Sequence, residues 1–92
     1  MRNLRTIKKD LDFIVGELID DTLIYLELSG GKNEDKVAEI IDAALDFEDE
    51  MIDKINHRPA DQPAKKYYKA IEKEILEGID KLYDELSKLP KK

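Results

Sequence analysis

Apolar residues recur along this chain at helical spacing in three successive runs, and two breaks separate the runs. In the first run, at about 100° per residue, Leu4, Ile7, Leu11, Ile14, Val15, Leu18, Thr22 and Tyr25 fall on one stripe. Ile19 and Leu26 widen it on one side. Asn3 stands at an N-cap position and Gly30 supplies a left-handed stop. The stretch Leu23 to Leu28 is apolar and β-branched enough for a strand, but the stripe passes through it without a phase break, so helix is the expectation. Gly16 sits mid-helix, where it costs up to ~1 kcal/mol relative to Ala, and is read as a close helix crossing.

The second run follows Gly30-Gly31. Asn33 is its expected N-cap, with Glu34 and Asp35 placed where the helix dipole favours negative charge. Its stripe is Val37, Ile40, Ile41, Ala44, Met51, Ile52 and Ile55, flanked by Leu45 and Phe47. It fades at His57, because Arg58 precedes Pro59 and is pushed away from helical geometry. The third begins between Asp61, a carboxylate cap, and Pro63. Tyr68, Ile71, Ile75, Ile79, Leu82 and Leu86 form its stripe, with Tyr67, Leu76, Tyr83 and Leu89 at the margins. Pro90-Lys91-Lys92 is expected to fray.

These signals predict an all-α, antiparallel up-down-up three-helix bundle in one domain, residues 1–92, with helices over about 4–29, 34–57 and 63–88. The second block is strongly acidic and the third carries a slight excess of lysine. Opposite bias should draw those two together, although each exposed pair contributes only ~0–1 kcal/mol.

Composition narrows the function classes. Charged residues make up 41% of the 92, far above the usual ~25%, which fits long solvated helices. A net charge of −6 disfavours nucleic acid and anionic membrane as non-specific partners. There is no cysteine, hence no disulfide framework, thiolate metal site or thiol nucleophile. No apolar run of ~18 residues is present to span a membrane. A cytoplasmic location is the expectation.

No catalytic, metal or cofactor signature stands out, and none is assigned. Carboxylates three apart recur, as in Glu17 and Asp20 or Glu39 and Asp42. They share a helix face, as ligands of helical Mg²⁺ sites do, but so acidic a chain produces such spacings by chance. A metal-dependent hydrolase built from Glu17, Asp20 and Glu48 across a dimer is the first alternative reading. Lys65, Lys66, Tyr67 and Lys69 interleave cations with aromatics and give the second, a nucleic-acid accessory protein. Arg2, Arg5, Lys8 and Lys9 form another basic cluster. Two polar residues lie within apolar stripes. Thr22 reads as a packed hydroxyl bonded to its own helix, and Glu48 as a carboxylate needing a partner such as Tyr25, Tyr68, Tyr83 or a lysine. His57, the one histidine, suits capping a helix C-terminus.

The apolar residues left over carry the functional expectation. Phe13 and Ile24 lie close in phase, nearly opposite the first stripe and about 16 Å apart along the helix, with Leu28 towards the same side. A helix apolar on two faces is expected to be covered on both. A homodimer through Phe13, Ile24 and Leu28, rimmed by Glu17 and Asp20, is therefore expected, in a protein-interaction or structural module that can also take an unknown protein partner.

The stretches Asp10-Leu11-Asp12-Phe13-Ile14-Val15, Lys32-Asn33-Glu34-Asp35-Lys36-Val37 and Tyr67-Tyr68-Lys69-Ala70-Ile71 touch all three blocks. In these the chain resembles a group of small all-helical bacterial proteins, chiefly from Bacteroidetes, that have no assigned role. The resemblance implies a helical fold and transfers no active-site residue.

Overall fold

The first helix, α1 (Leu4–Leu28), ends where glycine lets the backbone turn left-handed. Gly30 and Gly31 have φ of 71° and 83°. The Gly31 amide donates to Leu26 O at 2.9 Å and the Gly30 amide to Glu27 O at 3.1 Å, the paired bonds of a Schellman stop. Ser29 is buried beneath this turn, its hydroxyl donating to Leu26 O at 3.0 Å. A computed structural model describes residues 4–90, so the expected cap at Asn3 and the tail residues Lys91 and Lys92 lie outside the described residues.

Helix α2 spans Glu34–Asn56 and α3 spans Ala64–Ser87. Helix α2 begins where expected, but neither helix has a side-chain cap at its start. Asn33 takes the N-cap position of α2 in a left-handed conformation, φ 63°, without a side-chain cap bond. Its amide instead donates to the Tyr25 hydroxyl at 3.0 Å. Position, not chemistry, was legible there: the side chain is drawn to a tertiary partner, and the acidic first turn is left to meet the helix dipole. At α3 the N-cap is Pro63 rather than Asp61, again with no side-chain cap.

The end of α2 is well satisfied. Three successive carbonyls that lack intrahelical partners receive side-chain donors. His57 Nδ1 lies 2.8 Å from Asp53 O, the Tyr67 hydroxyl donates to Lys54 O at 2.9 Å, and the Tyr68 hydroxyl donates to Ile55 O at 3.3 Å. The start of α3 thus caps the end of α2.

All three helix pairs pack together. Ile7, Leu11, Val15 and Leu18 of α1, Ala44, Met51 and Ile55 of α2, and Tyr68, Ile71, Ile75, Ile79 and Leu82 of α3 form the main core. Val37, Ile40 and Leu89 make a smaller one, against which Tyr25 and Leu26 pack. Leu89, expected at the margin, is therefore part of the interior, and the Tyr25 hydroxyl bonds to Pro90 O just beyond it. The predicted three-helix bundle is what forms, and among the described residues no helix is long and apolar enough to cross a membrane.

One expectation about contact between helices needs correcting. Gly16 marks no crossing within the chain: a Cβ there would meet nothing within 4 Å. The close approach is at Gly78, where a Cβ would sit 2.3 Å from Cε1 and Cζ of Phe47, so the ring of α2 lies on the bare backbone of α3. The acidic α2 and lysine-rich α3 do pack against each other, and an ion pair between them joins Lys54 of the acidic helix to Glu74 of the lysine-rich one, at 3.1 Å. Apolar stripes set the arrangement, and exposed charges settle into it.

The result is a rod measuring 50 × 18 × 16 Å, with a radius of gyration of 15.1 Å. A globular chain of this length would have about 12 Å. A slender bundle leaves much of each helix facing water.

Candidate functional site

The outer face of α1 carries the feature of most consequence. Phe13, Ile24 and Leu28 are 63%, 52% and 81% exposed. Leu23 beside them is 47% exposed. On the opposite face Leu11, Val15, Leu18 and Thr22 are buried in the bundle. One helix thus presents apolar side chains on two sides, and the three-helix bundle covers one of them. Thr22 sits in the core with its hydroxyl donating to Leu18 O at 2.7 Å, which satisfies it within its own helix.

Glu17 and Asp20 are exposed, but the description of a rim needs revision. By helical phase both fall within about 30° of the line joining Phe13 to Ile24, and between them in sequence. They are interleaved with the apolar residues rather than set around them. The outer face is therefore apolar, acidic, acidic, apolar in order along the helix.

Each edge of this face meets a neighbouring helix through a carboxylate. Towards α3, the Tyr83 hydroxyl donates to Asp21 Oδ2 at 2.7 Å. Partial burial, then this bond and the charges of Asp21 and Glu17, push the Tyr83 hydroxyl up to about 12. Towards α2, half-buried Glu48 lies beside the Asp12 carboxylate. Among the described residues no expected tyrosine or lysine bonds to Glu48: Tyr25, Tyr68 and Tyr83 are used at Pro90 O, Ile55 O and Asp21. Burial first, then the nearby Asp12 carboxylate and the charge of Asp49, hold the Glu48 carboxyl above its ordinary range.

An apolar depression of about 70 Å³ lies between α1 and α3, lined by Ile7, Leu11, Ile14, Ile75 and Leu76 together with Asp10 and Glu72. Leu76 is 59% exposed. Sequence pattern placed it at the margin of α3, and its phase, about 100° from the centre of that stripe, was the available signal.

The other constellations are not assembled within one chain. Among its described residues no group of three or more His, Asp or Glu could hold a metal ion, and Glu17, Asp20 and Glu48 do not meet within it. Tyr67 and Tyr68 pack edge to face with centroids 5.4 Å apart, and both hydroxyls are bonded to α2 carbonyls. Neither ring is held out beside Lys65, Lys66 and Lys69 for stacking on a base. No protein-family model, curated protein or solved structure matches this chain.

Proposed function

We propose that the protein is a small homotypic interaction module, acting in the cytoplasm, whose outer α1 face binds a second copy. The single observation behind this reading is that Phe13, Ile24 and Leu28 stand more than half exposed on one side of a helix whose other side fills the core. Full burial of such a side chain contributes about 1.5–3 kcal/mol, so each returns roughly half of that when covered. Summed over both copies this is of the same order as the ~4–15 kcal/mol that association costs. The balance describes a reversible, concentration-dependent dimer rather than an obligate one. With each chain carrying −6, added salt strengthens it by screening.

Light scattering coupled to size exclusion, run from low micromolar to roughly millimolar protein, tests the reading. The wild type should move from monomer to dimer mass, and Phe13→Glu should stay monomeric with an unchanged helical spectrum. A wild type that remains monomeric across the range overturns it.

A further inference from the structure

Gly16 has no explanation inside the chain. It sits mid-helix, where glycine is disfavoured relative to alanine. Its backbone is ordinary helix, since the positive-φ glycines are Gly30 and Gly31. No atom within 4 Å would object to a Cβ. At Gly78, by contrast, the Phe47 ring fills the place a side chain would take. A glycine left open on an outer face is a notch, and an exposed aromatic ring is one turn away at Phe13.

Lys9, Phe13, Gly16 and Asp20 follow one another at spacings of four, three and four, the rhythm of a helix–helix seam, and lie within about 60° of each other in phase. Lys9 and Asp20 are both exposed, and no ion pair among the described residues engages either. Read from both ends, the series is complementary to itself: cation, ring, notch, anion.

We infer that two copies pair antiparallel through α1, about a two-fold axis passing between Ile14 and Val15, with Phe13 of each seated on Gly16 of the other and Lys9 opposite the other's Asp20. This inference rests on the self-association proposed above and fixes its register. Ile24 then falls level with the second copy's Arg5, whose aliphatic stem can cover it, and Leu28 falls beyond the overlap, which spans residues 4–25 of each copy. The rival register sets Phe13 against the second copy's Ile24 about an axis between Leu18 and Ile19. It places Glu17 against the other Asp20, twice, and gathers four carboxylates at the centre of the contact. Like charges set face to face oppose that arrangement, whereas the first register replaces them with two opposite-charge pairs.

The chain contains no cysteine, so introduced thiols report the register on a clean background. Lys9→Cys mixed with Asp20→Cys, and separately Glu17→Cys mixed with Asp20→Cys, are treated with a short bis-maleimide at a concentration where the wild type is dimeric. The first mixture should give a covalent heterodimer and the second should not. A dimer that cross-links through 17 and 20, or through neither pair, overturns the register while leaving self-association standing. A wild type that never dimerises removes both. Gly16→Ala supplies an independent sign test. Filling the notch should raise the Tm of dilute monomer by a few degrees yet weaken dimerisation by roughly tenfold. Dimerisation that is unchanged or tightened by Gly16→Ala overturns the seating of Phe13.

Discussion

Gly78→Ala tests how α2 and α3 approach each other. The added Cβ would stand 2.3 Å from Phe47 Cε1 and Cζ and 3.1 Å from Cε2, against an ordinary carbon–carbon contact of about 3.5–4.0 Å. Helix propensity favours the substitution by about 1 kcal/mol. Two routes of relief oppose it. If the helices hold their place and the ring is squeezed, overpacking costs about 1–3 kcal/mol. If the ring swings out, half-buried Phe47 loses its packing against the main core, about half of the 1.5–3 kcal/mol that full burial contributes. Either route matches or exceeds the propensity gain, so the variant should be destabilised by up to ~2 kcal/mol. For a domain of this size that is a fall in Tm of several degrees, at about 4–8 °C per kcal/mol. Urea denaturation of dilute protein, followed by helical circular dichroism, measures it on the wild type, Gly78→Ala, Phe47→Ala and the double variant. Once the ring is gone, Gly78→Ala should reverse sign and stabilise by up to ~1 kcal/mol, giving a coupling of about 1–3 kcal/mol. A Gly78→Ala that gains the full ~1 kcal/mol of helix propensity with Phe47 in place, or no coupling between the two, would refute the claim that the ring needs bare backbone beneath it.

Other consequences concern the polar contacts at the helix margins. Because the folded Glu48 carboxyl titrates above its ordinary value of 4.5, the native state holds more protons there than the unfolded chain, and stability falls as pH rises from that value through the raised one. Glu48→Gln should therefore melt higher than the wild type at pH 7, by no more than ~1 kcal/mol given solvent screening, and the gap should close below about pH 4.5 in the same urea titration. A gap that persists unchanged in acid would show that the cause is packing rather than charge. Tyr67→Phe and Tyr68→Phe each remove a hydroxyl from an α2 carbonyl, at a cost of about 0.5–1.5 kcal/mol. The Tyr67 bond is 2.9 Å and the Tyr68 bond 3.3 Å, so Tyr67→Phe should cost more; equal or reversed losses would argue against these bonds as the cap of α2.

What the sequence made legible follows from which interactions decide the fold. Three runs at helical period, cut by Gly30-Gly31 and by the stretch from Pro59 to Pro63, were enough for the bundle, because burial of a continuous stripe outweighs any single local preference. Thr22 was legible for the same reason: a small hydroxyl on a core stripe has its own helix to bond to. Side-chain partners across helices were not. Glu48 was placed correctly in α2, but its neighbour Asp12 depends on the rotation of α1, which a repeat cannot fix. The tyrosines were all available as donors in sequence, and three-dimensional proximity sent each to a different acceptor. Gly16 and Gly78 look alike in sequence, each a lone glycine within a helix, and what separates them is the occupant of the space beyond the backbone.

The same comparison bears on why charge should choose the register of a dimer when it did not choose the arrangement of the bundle. Within the chain, two full apolar stripes meet at each helix pair, and the charged residues accommodate the outcome even at Asp12 and Glu48, where like meets like. A surface pair contributes at most ~1 kcal/mol against an apolar contact many times larger. On the outer face of α1 the ratio is different. Phe13 and Ile24 are separated by Glu17 and Asp20, and no continuous stripe exists to impose a fit. When the apolar gain is only a few kcal/mol, a difference of two attractive pairs against two repulsive ones is enough to decide. Reversing both charges together, as Lys9→Glu with Asp20→Lys, keeps that complementarity and should preserve the dimer, whereas either change alone should disrupt it. Equal behaviour of the single and double variants in light scattering would show that charge plays no part in the choice.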